Sequence, residues 1–390
     1  MAKRHERSEQ SRLHDGWTKS RWMEDGVVPN ETKCDLQNAV HKLFDEANFS
    51  ARFDYRVILP VARLATKLLM CEKLIPFFST AIHKEAKEIR TGLRTFHAYD
   101  AKDASRDLPV GRVKRQRIHE MLVELADLIS FDTDRTAATW STEPIEMVEH
   151  NRLFGDDTLR CVISCPEPIY QALAAEHKLE ARMHTKMLNK NDWALLRTLQ
   201  LEFAITMVHE VAHALFYALQ GDQAYEPFFG DAAVSEVGFE LEWRLFGGRI
   251  TRLFHQDQTI RLYQKKTRTR VVGRSRLTGL VVMFEWPEQG MVEDYRGTNL
   301  RFDYKEEQIP KKDFVWRLPL DWVGSLFTKA FWASAEHDLT MLDPPREMAY
   351  TFKQVDGVPH PQSVDRTDYN SAAYYTPRAH HDGSIIRNGL

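Results

Sequence analysis

Met207-Val-His-Glu-Val-Ala-His-Ala-Leu215 decides how the rest of the chain is read. On an α-helix His209 and His213 stand one turn apart on one face, so two imidazoles can grip a single cation. Glu210 is turned from His209 by about 100°, where its carboxylate can reach a water at the metal without taking a ligand position. This H-E-x-x-H spacing suits zinc. Two neutral imidazoles and one carboxylate leave a fourth place for water, whose pKa zinc lowers to about 7. From Leu201 to Leu219 nearly every position outside the motif is apolar or small, which predicts a helix buried on all sides. Polar side chains buried there need partners. A lone histidine in such a helix is ordinarily a core residue hydrogen-bonded to backbone; the triplet at this spacing favours a metal.

Two histidines do not complete a catalytic zinc site, so a third donor is required. Downstream, the segment from Asp231 to Gly248 reads as one helix, capped at Asp231 and stopped by Gly247-Gly248. Val234, Val237, Leu241 and Leu245 form its apolar stripe, and Glu236 and Glu240 lie four apart on a neighbouring face. Four other donors compete with Glu236, and Glu240 is the first of them. Asp231 is better used as a cap, Glu242 is expected to point away from Glu236 and Glu240, and His255 would make a three-histidine site. A solvated acidic face is the alternative for Glu236 and Glu240.

Taken together, residues 206 to 248 resemble the gluzincin branch of the zincin metallopeptidases, thermolysin-like enzymes included. The resemblance covers roughly a tenth of the chain. It implies that His209, His213 and Glu236 are zinc ligands, that Glu210 is the general base, and that Glu240 holds one zinc-bound imidazole in orientation. Glu240 stands where the family more usually has aspartate, so a side chain one methylene longer must make that contact. The resemblance also implies one Zn2+ per chain and a zincin-like core.

Composition sets the frame. With 390 residues the chain can hold more than one module around a sizeable core. The formal charge of -3 gives no overall attraction to nucleic acid or to an anionic membrane. The first ten residues are polar and mixed in charge, and no stretch runs 18 apolar residues, so the expectation is an intracellular, cytoplasmic protein with no membrane partner. Cys34, Cys71, Cys161 and Cys165 are too few and scattered for a disulfide framework and read as free thiols.

Outward from the motif, the expected architecture is α+β and predominantly helical. Residues 1–34 read as a flexible arm, 35–150 as a helical region, 151–250 as the metal-binding core, 251–360 as mixed strand and helix, and 361–390 as a tail. Leu36, Val40, Leu43 and Phe44 recur at helical spacing, as do residues of Val61 to Ile75 with Pro60 in the first turn. Residues 100–114 read as a loop, with a helix from about Arg115. Leu159 to Cys165 reads as a strand, Tyr170 to Met187 as a helix, and Asp192 to Gln220 as the long helix that carries the motif. Leu280 to Phe284 is apolar, Leu300 to Lys305 alternates like an edge strand, and Leu320 to Ala335 reads as one helix.

The basic run Arg261, Lys265, Lys266, Arg268, Arg270, Arg274 and Arg276 could contact nucleic acid. It has only Tyr263 as an aromatic and the chain is not basic, so a solvated surface is expected instead. His380-His381 is read as exposed. Tyr225, Tyr263 and His255 are candidates by residue type to stabilise an oxyanion. The leading expectation is a zinc-dependent hydrolase, a metallopeptidase acting on a peptide. A zinc enzyme acting on a small molecule, by hydrolysis or elimination, is the second; a non-catalytic binding protein is the third.

Overall fold

The computed structural model describes residues 34–91, 94–137, 139–156, 158–183, 190–221, 225–252, 281–284, 300–301, 315–346, 349–355 and 358–363. The fold is mixed α and β, built on one long central helix. The basic run, His255, Tyr263 and His380-His381 lie outside the described residues.

Helix α1 (Tyr55–Leu69) opens on Asp54, whose side chain accepts the backbone N–H of Arg56. Pro60 therefore sits inside the helix rather than at its start. After a short 3-10 turn comes α2 (Ile75–His83), with Pro76 in its first turn, where a missing N–H costs little. Strands β1 (Lys87–Thr91) and β2 (Arg94–Tyr99) form a hairpin; the 100–111 loop leads into α3 (Arg112–Leu125). Strands β3 (Ile129–Asp134), β4 (Ser141–Val148) and β5 (Thr158–Pro166) follow, then α4 (Glu167–Met183). The central helix is α5 (Lys190–Gln220), 31 residues long and ended by Gly221 at φ 65°.

Beyond α5 come β6 (Phe228–Phe229), α6 (Val237–Phe246), β7 (Arg249–Arg252), β8 (Val281–Phe284), β9 (Val315–Arg317), α7 (Leu320–Ser325), α8 (Lys329–Ala335), β10 (Ala349–Val355) and β11 (Val358–Ser363). Among the described residues the strands form three sheets, ordered β1-β2-β6, β3-β5-β4 and β11-β10-β9-β8-β7. In the second sheet β5 is central, parallel to β3 and antiparallel to β4. Among the described residues β4 has a free outer edge, and its residues 143 to 147 are exposed.

Among the described residues the main core cluster runs from Leu36 to Leu342, and Phe96, Ala98 and Phe228 form a small separate one. Helix α5 crosses it, packed on α1, α4, α6 and the β5–β4 side of the second sheet. Phe203, Val208, Val211, Ala212 and Leu215 are fully shielded, as the all-round apolarity of the helix predicts. Cys161 and Cys165 are both buried and free.

Three expectations are corrected. Residues 36 to 44 form no α-helix; two 3-10 turns, Lys42–Phe44 and Glu46–Asn48, are capped by the side chains of His41 and Asp45. Leu320 to Ala335 is two helices, because the Thr328 side chain caps a new start at Lys329 by accepting from Phe331. The helix expected from Asp231 begins only at Val237, because Glu236 is extended (φ -146°, ψ 103°) and caps it with its own side chain. The other end of α6 is fixed by Gly247 at φ 75°, by Lys73, which donates to the Leu245 carbonyl, and by Arg346, which donates to that of Gly247.

Candidate metal centre

His209 and His213 on α5 turn their Nε2 atoms toward the same carboxylate oxygen. Glu236 Oε1 lies 3.2 Å from His209 Nε2 and 2.9 Å from His213 Nε2. Among the described residues these three are the one group whose ligand atoms, all within 4.8 Å of one another, could hold a metal ion. Glu236 reaches them because it ends the loop before α6. Its Oε2 accepts the backbone N–H of Phe239 as an N-cap, which leaves Oε1 aimed between the imidazoles.

The Nδ1 atoms face away, each toward its own carboxylate. His209 Nδ1 is 2.8 Å from Glu242 Oε1, and His213 Nδ1 is 2.7 Å from Glu226 Oε1. Both carboxylates are themselves anchored: Glu242 Oε2 accepts from Ile250 N and Glu226 Oε2 from Val237 N. An imidazole that donates Nδ1–H to a carboxylate presents its Nε2 lone pair inward, as metal ligation requires.

Glu240 does not hold an imidazole. Its carboxylate accepts from Arg244 Nε at 2.7 Å, and Arg244 also donates to the Ala104 carbonyl, both side chains being buried. The face of α6 toward His209 carries Gly238 and Glu242, one turn apart, and Glu240 is rotated by about 200° from each. Gly238 makes that approach possible: a Cβ there would clash with the His209 ring. Gly238 and Glu226 escape the sequence reading, and Glu242, weighed there only as a rival third ligand, instead holds His209 Nδ1. Gly238 and Glu242 were signalled by a glycine and a glutamate four apart; Glu226 sits in a loop without periodicity. Asp231 is exposed, with its carboxylate 3.9 Å from Arg301.

Glu210, the expected general base, is buried on α5, with Thr142 Oγ1 of strand β4 2.7 Å from its Oε2 and 3.1 Å from its backbone oxygen. A cleft of about 340 Å³ opens beside His213. Tyr225, one of the candidate oxyanion donors, lines it and stacks on His97, ring centroids 3.5 Å apart.

The electrostatics fit a cation. Burial opposes charge on His209, but Glu236 and Glu242 outweigh it and push its pKa up to about 10. His213 is raised well above the usual value in the same way, against burial, by Glu226 and Glu236. Burial favours a neutral Glu236, yet the two histidines hold its carboxyl well below the usual carboxylate range. Three carboxylates thus call for positive charge at this point, and a divalent ion between the imidazoles meets that demand without protons. Ligand atoms on a tetrahedral zinc with bonds of about 2.1 Å stand roughly 3.4 Å apart, a spacing these three donors reach with small shifts. Comparison of the chain with protein-family models, curated proteins and solved structures finds no match in any of the three.

Proposed function

We propose that the chain is a zinc-dependent hydrolase, a metallopeptidase with a zincin-like core. The observation that carries the reading is the convergence of His209, His213 and Glu236 on one point, with both Nδ1 atoms held by carboxylates. Bound there, zinc supplies a Lewis acid that acidifies water and polarises a carbonyl. Glu210 takes the proton from the attacking water and returns it to the leaving amine. Thr142 fixes Oε2 of Glu210 by hydrogen bonding, and Oε1 is the oxygen that accepts that proton. Glu226 and Glu242 keep the imidazoles in the ligating tautomer.

A peptide is favoured over a small molecule by strand β4, whose free edge runs past Glu210 through Thr142. An exposed strand edge offers unpaired N–H and C=O groups to an extended chain. Glu210→Gln is expected to keep zinc and to lower peptide hydrolysis by about 10²–10⁴-fold. Screening parent and variant against a peptide library, with zinc content measured on the same samples, tests this. A parent that binds zinc and cleaves no peptide would move the reading to a small-molecule substrate; a parent that binds no zinc would leave a non-catalytic binding protein.

A further inference from the structure

The cleft beside His213 combines aromatic walls with an acidic floor. Phe216 and Tyr217 of α5, Phe96 and Phe228 of the β1-β2-β6 sheet, and Tyr225 make the walls, while Glu226 lies on the floor against His213. We propose that this cleft is the subsite for a basic side chain, arginine or lysine, of the peptide substrate; the inference rests on the metallopeptidase reading and names the residue that reading leaves open.

Size admits it. A volume of about 340 Å³ lies within the range of small-ligand sites, roughly 300–1,000 Å³. The walls suit a cation on an apolar stem, since methylenes pack on ring faces and the charged end is attracted by the ring quadrupole. Tyr225 is held for that role: its ring lies on His97 at an interplanar angle of 17°, and Gln220 Oε1 accepts its backbone N–H. Burial, against the pull of Glu88, lowers the pKa of His97 and so disfavours a charge on its ring.

Charge points the same way. No lysine or arginine is among the described residues that line the cleft. Burial raises the pKa of Tyr217 against the opposing charge of His213, with smaller upward contributions from Cys161, Glu226 and Glu143; burial and Glu85 raise that of Tyr225. Glu226 is the one carboxylate among the described residues that line the cleft, and it shares that lining with His213, on whose Nδ1 its Oε1 rests at 2.7 Å. An acidic side chain is repelled here. A neutral aromatic one gains the walls but nothing from the floor.

The test is calorimetric binding of three blocked amino acids to the zinc-loaded full chain: N-acetyl-arginine methylamide, its neutral citrulline isostere, and N-acetyl-phenylalanine methylamide. The arginine probe is expected to bind about tenfold more tightly than the citrulline one, and Tyr225→Ala to remove about tenfold of its affinity with zinc content unchanged. Glu143→Gln, at an exposed position that leaves the core intact, is expected to cost the arginine probe roughly two- to fivefold and the citrulline probe nothing. Equal binding of arginine and citrulline, or tighter binding of phenylalanine, overturns the proposal. The metallopeptidase reading is judged separately on the same samples: zinc without an arginine preference rejects the basic subsite alone, whereas an arginine preference without zinc keeps the cleft and rejects the hydrolase.

Discussion

Gly238 has no side chain, and the ring of His209 lies where one would be. Gly238→Ala must push that ring out of line with Glu236, so the variant is expected to fold, by circular dichroism, and to bind zinc about 10–100-fold more weakly in a competitive chelator titration. Unchanged affinity would mean that the ring moves without cost. Glu242 and Glu240, two residues apart, separate by the same logic. Removing the acceptor at His209 Nδ1 with Glu242→Ala is expected to weaken zinc by about 10–100-fold. Glu240→Ala leaves the buried Arg244 without its carboxylate, so it is expected to lower unfolding stability by about 3–5 kcal/mol with zinc affinity retained. Denaturant titration beside the zinc titration checks both; a loss of zinc in Glu240→Ala at full stability would restore the role that the resemblance gives that residue. The sequence pointed to His209 and His213 because they stand one helical turn apart, and the structure brings Glu236 to them as a group that could hold a metal ion. The sequence misled at Glu240 because the count of four from Glu236 assumes that Glu236 lies within the helix, whereas it caps the helix and the face toward His209 begins at Gly238.

At the scale of elements, the long helix α5 was legible from its apolar positions and its glycine stop, and β5 from a short apolar run next to prolines. Boundaries set by side-chain caps were not. Glu236, Thr328, His41 and Asp45 each decide where a helix or turn starts through one hydrogen bond to backbone, which leaves no trace in hydrophobic periodicity. His41 adds a pH dependence to its turn. Its Nδ1 accepts the Leu43 N–H, and burial, helped by His119, lowers its pKa to about 4 from about 6.5. The folded state thus favours the neutral ring: the stability this contributes is complete above pH of about 6.5 and is lost as the pH falls toward about 4. His41→Asn keeps a capping oxygen and removes the titration, so its thermal midpoint is expected to fall less than the parent's between those pH values. Equal acid sensitivity of the two proteins would assign the loss to other groups.

For the whole molecule, one core joins the segments before the motif, the motif helix and the segments after it, so the candidate centre is set in the body of the fold. Composition and pattern gave the mixed α and β class and the helix at its middle. They could not give Glu226 and Thr142, which meet α5 from a loop and from a strand edge, because contacts between distant segments have no local signature. A cation held by α5 and Glu236 also ties α5 to the start of α6, and an ion that binds only the folded chain stabilises it by about 2.7 kcal/mol at a free concentration a hundredfold above its Kd. The most direct measurement is the zinc content, by mass spectrometry, of the full chain prepared without chelator or histidine tag, beside His213→Ala and Glu236→Ala. About one zinc per chain in the parent, with loss in both variants, is the expected result; a parent that takes up no zinc at neutral pH would contradict the account and leave the two imidazoles and their carboxylates as a polar network in the core.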